Sequence, residues 1–226
     1  FPSGDTHQIT FEKASSKIMG VPIWSPDGSY ITFAVNQPEK LGRGVSYWLI
    51  RPDGSGLKLL VQEGAWASWS GDSKWLYYSD SSPVRPTGGF RMLKSPVEGG
   101  AAVIVRSDNA RAAALAPDGS GLYYIVPLEN LNGVLDYELR VARPEDSPST
   151  LLARISGQRV PIWQGLHPVI SHDGQTLALA FDDALGTNLW TIPAAGGKLK
   201  QITDFAPRRT FIARRISWSA DGKWIF

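Results

Sequence analysis

The chain has 226 residues, 42% hydrophobic and 19% charged, an ordinary globular composition that can bury one sizeable core. Its 23 basic and 21 acidic residues leave a formal charge of +2, so composition gives no reason to expect nucleic acid or an anionic membrane as partner. The absence of cysteine excludes disulfides, a thiol nucleophile and cysteine-ligated metal sites, and no apolar run approaches the roughly 20 residues of a membrane-spanning helix, so no membrane insertion is expected.

A five-residue phrase recurs along the chain and organises it. An aromatic or aliphatic residue is followed by Ser-Pro-Asp-Gly or a variant, between two runs of apolar and β-branched residues. The five copies begin at Trp24, Trp69, Leu115, Ile170 and Trp218. Their aspartates are Asp27, Asp72, Asp118, Asp173 and Asp221. Successive aspartates stand 45, 46, 55 and 48 residues apart, which is the period of a four-stranded propeller blade.

Each copy of the phrase is predicted to be the tight turn of a β-hairpin. Proline presets φ, aspartate bonds its own backbone and glycine accepts a positive φ. A second turn follows in each repeat, as at residues 51–54 and 95–100, and leads into another apolar run. A repeat thus holds two hairpins, or four strands. We therefore assign the five aspartates to turn stabilisation, and we expect the aromatic residues of the phrase in the core.

In chain order, the predicted elements are an outer strand at residues 1–10, four complete repeats at 21–61, 66–105, 112–152 and 166–203, and a first hairpin at 214–226. Residues 109–115 come nearest to a helical pattern, but this segment is short and runs into Pro117, so an inner strand is expected there. The whole chain is predicted to be a single all-β domain, a β-propeller of four-stranded antiparallel blades.

The two ends of the chain could together supply three strands of a fifth blade, whose remaining strand is missing. We therefore expect an open arc that belongs to a six- to eight-bladed propeller, and not a closed ring. In an open arc, the blades at the two ends lack a neighbouring blade on one side. Such an arc is therefore expected to self-associate.

The pattern Trp-Ser-Pro-Asp-Gly-x-x-Ile-x-Phe at Trp24–Phe33, with Lys-Gln-Ile-Thr at Lys200–Thr203 after a Gly-Gly turn, resembles the WD40-like (PD40) or TolB-like repeat of bacterial β-propellers. The resemblance covers essentially the whole chain. The departures from the repeat pattern include Gly71, Ser73, Ala116 and His172. The last stretch, Leu199–Phe226, is similar to propellers appended to bacterial serine/threonine kinases and winged-helix regulators.

The resemblance implies a sensor or interaction domain. We predict a non-catalytic binding or scaffold module of a larger bacterial protein, whose partner is a protein or a small ligand. The alternative is the gating propeller of a prolyl-oligopeptidase-like serine peptidase whose catalytic domain lies outside this chain. A periplasmic or extracytoplasmic location is favoured by the resemblance only.

No catalytic residue, metal site or cofactor is predicted. The nucleophile-elbow pattern Gly-x-Ser-x-Gly is absent, and three histidines are few for a metal site that needs several convergent ligands. Among them, His167 lies in or just before an inner strand and is the one worth testing as a ligand contact.

Binding residues are expected at the mouth of the central channel, on the face of the connections at 36–46, 81–89, 127–136 and 157–164. The candidates are Arg111, Trp163, His167, Arg208, Arg209, Arg214 and Arg215. Four of them form the only marked charge cluster, between residues 207 and 216, and a guanidinium can clamp a carboxylate or phosphate with two hydrogen bonds. The competing interpretation of this cluster is a solvated loop.

Overall fold

The computed structural model describes residues 6–11, 17–36, 45–80, 89–128, 135–158, 167–183, 186–208 and 215–226, together with residues 210 and 212. Every regular element in these ranges is a β-strand. Within them, no helix has the length and apolar character needed to cross a bilayer. The strands form antiparallel sheets that follow one another around an arc. The all-β prediction is therefore confirmed.

The first two blades share a continuous seven-stranded sheet. The first blade contains β1 (Lys17–Trp24), β2 (Ile31–Asn36), β3 (Val45–Ile50) and the beginning of β4 (Lys58–Trp69). The second blade contains the end of β4, then β5 (Trp75–Ser79), β6 (Met92–Pro96) and β7 (Val103–Arg106). Because β4 pairs with β3 up to Gly64 and with β5 from Ala65 onward, it is the outer strand of one blade and the inner strand of the next.

The third and fourth blades are separate four-stranded sheets. The third contains β8 (Arg111–Leu115), β9 (Leu122–Leu128), β10 (Leu135–Ala142) and β11 (Thr150–Gln158). The fourth contains β12 (Val169–Ile170), β13 (Thr176–Asp183), β14 (Gly186–Pro193) and β15 (Lys200–Gln201). Beyond β15, Ser217 and Phe226 exchange two backbone hydrogen bonds of 2.9 Å in a last hairpin. The expected inner strand at residues 109–115 is confirmed by β8.

Residues 6–11 have no regular strand, although an outer strand was expected over residues 1–10. Their local structure nevertheless repeats the end of the fourth blade. The Gln8 side-chain amide donates to the Thr10 carbonyl at 2.8 Å, as that of Gln201 does to the Thr203 carbonyl at 2.7 Å. Ile9 packs against the apolar side chains of the first blade. The segment therefore covers part of that blade without joining a ladder.

Strand β9 shows how neighbouring blades share their cores. Tyr123 belongs to a cluster with Leu177 of the fourth blade, and the next residue, Tyr124, belongs to a cluster with Met92 of the second blade. All four side chains are at most 1% exposed. Burial of a side chain such as Leu177 or Met92 stabilises the fold by about 1.5 to 3 kcal/mol. Successive side chains of β9 point to opposite faces of the sheet, so both faces of the blade are buried.

Two tryptophans of the recurrent phrase tie adjacent blades together. The indole nitrogen of Trp69 donates to the Ile23 carbonyl at 3.3 Å, and that of Trp218 donates to the Val169 carbonyl at 3.2 Å. Both carbonyls belong to the residue just before the phrase of the preceding blade. The expectation that all phrase aromatics lie in the core is wrong for Trp24, which is 55% exposed because no preceding blade covers it in the described part of the chain.

Candidate functional site

The inner strands of the second and third blades bulge at the same repeat position. Trp66 and Ala112 lie three residues before the start of the phrase and have φ values of 53° and 51°. The ladders of β4 with β5 and of β8 with β9 slip at these points. A left-handed residue in a bulge redirects the side chains around it, so the strands no longer follow the regular alternation here. His167 and Arg215 occupy the same position in the next two repeats.

Ser68 joins three blades through one hydroxyl. Its Oγ donates to the Ala113 carbonyl at 2.7 Å and lies 3.0 Å from Nε2 of His167. A hydroxyl has one proton and a carbonyl only accepts, so this geometry assigns the proton of the second contact to Nε2 of His167. The other ring nitrogen of His167, Nδ1, therefore has a lone pair, and it is buried without a hydrogen-bond partner among the described residues.

His167 and Arg215 lie close enough to influence each other. Burial lowers the pKa of His167 well below its usual value, and the positive charge of Arg215 lowers it further. The imidazole is therefore neutral at pH 7. Arg215 donates from Nη1 to the Ala67 carbonyl at 2.7 Å, and the Ala67 amide donates to the Tyr47 hydroxyl at 3.3 Å. Burial also lowers the pKa of Arg215, but a guanidinium stays charged at neutral pH.

Arg111 lies against two aromatic rings and has no acidic partner in the described structure. Its Cζ is 4.0 Å from the ring centroid of Phe90 and 5.3 Å from that of Trp66. The two rings are 5.4 Å apart at an interplanar angle of 72°. Nε of Arg111 is buried without a hydrogen-bond partner among the described residues. Burial lowers the pKa of this guanidinium.

Three consecutive residues of β4 thus contact three of the predicted site residues. The Trp66 ring contacts Arg111, the Ala67 carbonyl accepts from Arg215, and the Ser68 hydroxyl bonds His167. Arg111, His167 and Arg215 belong to the third, fourth and last repeats. We call residues 66–68 with these three side chains the axial cluster.

Of the remaining predicted site residues, the structure describes only Arg208. Arg208 is exposed in a turn in which its amide donates to the Phe205 carbonyl at 2.8 Å, and none of its described contacts reaches the axial cluster. Trp163, Arg209 and Arg214 lie outside the described residues, as do most residues of the four connections predicted to line the mouth.

Sequence reasoning missed Trp66, Ser68 and Phe90. Trp66 could have been found from its position, because it has the same offset from the phrase as His167 and Arg215. Ser68 gave no such signal, since its contacts lie 45 and 99 residues away in sequence. Phe90 lies outside the inner strands, so the repeat pattern does not place it near Arg111.

The turn aspartates accept hydrogen bonds from residues of their own turns. Asp27 accepts from the Ser25 hydroxyl at 2.7 Å and from the Ser29 amide at 3.0 Å. These bonds lower the pKa of Asp27 to about 2, with the Ser25 hydroxyl as the largest cause. The same serine-to-aspartate bond recurs at Asp72, Asp173 and Asp221. In the third copy, where Ala116 replaces the serine, Asp118 accepts from the Ser120 amide at 2.9 Å.

Two observations describe the chemical groups that the described residues provide. They contain no group of three or more His, Asp or Glu side chains that could hold a metal ion. The proton of Ser68 is donated to a carbonyl and not to His167, so this Ser–His pair has the opposite polarity to an activated nucleophile. The cluster supplies guanidinium groups, aromatic faces and an imidazole lone pair, which are groups suited to binding.

Neither the family models nor the curated proteins include a match to this chain. Solved structures do match. TolB from Acinetobacter baumannii superposes with a TM-score of 0.65 at 17% identity, over 87% of this chain and 46% of that one. An oligogalacturonate lyase in complex with manganese gives a TM-score of 0.63 at 15% identity, over 97% of this chain and 64% of the lyase. A chain of the nidogen/laminin complex gives 0.61 at 10% identity, over 84% of this chain and 66% of that one.

This chain therefore spans about half to two thirds of the length of these matched proteins. At such low identities the likeness shows the fold alone, which is that of a β-propeller. The three matches include an enzyme and proteins that are not named as enzymes, so fold similarity leaves the activity open.

Proposed function

We propose that this chain is a non-catalytic binding module of a larger bacterial protein and that it holds its partner at the axial cluster. The observation that supports this proposal is the succession of contacts from residues 66–68 to Arg111, Arg215 and His167. Side chains from several blades converge there, and Nε of Arg111 and Nδ1 of His167 have no hydrogen-bond partner among the described residues. Polar groups that lack partners within a structure mark a place where a bound partner can add hydrogen bonds.

The axial hydrogen bonds favour a binding site over a passage. The bond from Arg215 to Ala67 joins the last repeat to the second, and that from His167 to Ser68 joins the fourth repeat to the second. A substrate that travelled along the axis toward a peptidase domain would have to break both bonds. A ligand that docks at the end of the axis would leave them in place.

A peptide selection tests the proposal directly. Random peptides displayed on phage are selected against the full chain, and the affinities of the selected peptides are measured by fluorescence polarisation. Phe90→Ala is expected to weaken binding by about tenfold or more, because truncated aromatic anchors commonly have such effects. The matched control is Leu59→Ala, a truncation on the outer strand, where the side chain is 45% exposed. Equal losses in both variants, or none in either, would place binding elsewhere.

The gating alternative and a catalytic role have their own tests. The complete open reading frame distinguishes the gating alternative from the binding module. An upstream kinase or winged-helix segment supports the binding module, whereas a downstream Gly-x-Ser-x-Gly domain supports a gating propeller of a peptidase. Turnover of any member of a panel of peptides and oligosaccharides by the isolated chain would contradict the non-catalytic assignment.

A further inference from the structure

We propose that Arg111 binds a carboxylate group through its two terminal nitrogens, with the Phe90 and Trp66 rings as the walls of the site. This inference rests on the proposed binding function and specifies the chemistry of the ligand. It concerns the group recognised, which could belong to a free organic acid or to the C-terminus of a peptide.

No described hydrogen bond occupies the two Nη atoms of the Arg111 guanidinium. The rings of Phe90 and Trp66 lie 4.0 and 5.3 Å from Cζ and provide cation–π contacts, but they offer no acceptor for the N–H groups. Nε is buried without a partner among the described residues, whereas the two Nη atoms are not among the buried unpartnered atoms. A planar carboxylate that approaches end-on can accept from both Nη atoms at once.

The walls of this site are held in place before a ligand arrives. The Phe90 amide donates to Oδ1 of Asn109 at 3.0 Å, and Nδ2 of Asn109 donates to the Pro127 carbonyl at 3.3 Å. Trp66 lies in the bulge of β4, where its φ is 53°, and its ring packs edge-on against that of Phe90 with 5.4 Å between the centroids. A site with fixed walls binds more tightly, because less conformational entropy is lost on binding.

The protein supplies no carboxylate of its own to Arg111 in the described structure. Asp108, three residues before Arg111, bonds Arg106 at 2.9 Å, and Asp80, ten residues before Phe90, bonds Nε of Arg91 at 2.8 Å. The other axial guanidinium, Arg215, contacts a carbonyl and adds positive charge. A partly buried cation without a counter-charge is costly, and an anionic ligand reduces that cost.

Titration by nuclear magnetic resonance of the full ¹⁵N-labelled chain tests the inference. The buried Nε–H of Arg111 should exchange slowly with water and give a distinct signal, which the Arg111→Lys variant identifies by its disappearance. Acetate and succinate are titrated at constant ionic strength, with chloride and inorganic phosphate as the other anions. We expect a saturable shift with acetate and succinate in the millimolar range, and a linear, small shift with chloride. The backbone amide of Arg154, an outer-strand residue whose side chain is 66% exposed, is the internal control.

Three results would overturn the inference. They are a linear response of Arg111 to acetate, a response no larger than that of Arg154, and tighter saturation by phosphate than by acetate. The Arg111→Lys variant should retain the spectrum of a folded protein. Its affinity for succinate, followed through the Phe90 amide, should decrease by at least about tenfold, because a lysine ammonium cannot form the bidentate contact.

The source of the carboxylate is distinguished with the peptides selected above, made as free acids and as C-terminal amides. Weaker binding of the amides identifies a peptide C-terminus, whereas equal binding together with saturation by succinate identifies a free organic acid. Peptides that bind at Phe90 in both forms, with no saturation by acetate, would refute the carboxylate inference and leave the binding function standing. If acetate saturates Arg111 but no peptide is selected, the carboxylate inference stands and a peptide partner is refuted.

Discussion

Nε2 of His167 lies 3.0 Å from Oγ of Ser68, although 99 residues separate the two in sequence. The hydroxyl proton goes to the Ala113 carbonyl, so the histidine is the donor in this pair. This contact fixes the tautomer of His167 and joins the fourth blade to the second. It also leaves Nδ1 as a buried lone pair within the described structure.

We expect the chain to lose stability as the pH falls below 6.5. Burial and Arg215 hold the pKa of folded His167 well below the 6.5 of an unfolded chain, so between the two values only the unfolded chain takes up the proton. The contribution of this group is complete above pH 6.5 and decreases below it, by up to about 1.4 kcal/mol per pH unit. Urea denaturation at several pH values measures the slope.

Two variants isolate this effect. His167→Gln keeps an N–H donor for Ser68 but cannot titrate, so the slope should decrease. His172→Gln changes an exposed histidine in a turn and should retain the slope of the parent chain. An unchanged slope in His167→Gln would show that another group is responsible.

Removal of the Ser68 hydroxyl should destabilise the chain by about 1 to 3 kcal/mol, because the N–H of His167 and the Ala113 carbonyl both lose a buried partner. The free energy of unfolding of Ser68→Ala is compared with that of Ser217→Ala. Ser217 has the same repeat position in the last copy but is exposed, so its variant should change by less than about 0.5 kcal/mol. Equal effects would refute the role given to Ser68.

The phrase tryptophans should differ sharply in their contribution to stability. Trp69→Phe removes the indole donor to the Ile23 carbonyl and is expected to cost about 1 kcal/mol or more, from the lost bond and the smaller ring. Trp24→Phe, at a position that is 55% exposed, should have little effect. Denaturation midpoints of the two variants are compared. A larger loss from Trp24 would mean that this residue is covered in solution.

The carboxyl group of Asp27 should titrate near pH 2. Its folded pKa of about 2 lies below the unfolded value of 3.8, so the stabilisation that it gives is present above pH 3.8 and is lost as the pH falls toward 2. Ser25→Ala removes the largest cause and should raise the titration midpoint clearly, as followed by NMR of the carboxyl carbon. Ser29→Ala should raise it less, since the Ser29 amide still donates. The reverse order would contradict this assignment.

The turn of the second repeat departs from the phrase because other turns lie against it. A Cβ on Gly71 would lie 2.7 Å from the Pro117 carbonyl oxygen, and the Ser73 hydroxyl accepts from the Asp27 amide at 3.0 Å. Gly71→Ala should therefore destabilise by about 1 to 3 kcal/mol through overpacking. His172→Ala changes the same repeat position at an exposed site and is the control. Differential scanning calorimetry would contradict this explanation if both variants melted at the same temperature.

Much of the fold could be predicted from the repeat, because the information is local. A serine, an aspartate and a glycine within five residues suffice to form the turn, and the strands on either side of it pair with each other. Even the doubtful segment 109–115 could be assigned, since Pro117 ends it too early for a helix. The departures at Gly71 and Ser73, in contrast, have no explanation within their own turn.

The sequence by itself determined the four-stranded repeat, its turns and its all-β class, and it included Arg111, His167 and Arg215 among seven candidates at the channel mouth. Only the tertiary structure decided that residues 66–68 contact all three, that the Phe90 ring lies against Arg111, and that Arg208 is exposed in a turn. The physical reason is distance along the chain. Arg215 and Ala67 are 148 residues apart, and they meet only because the sheets follow one another around an arc.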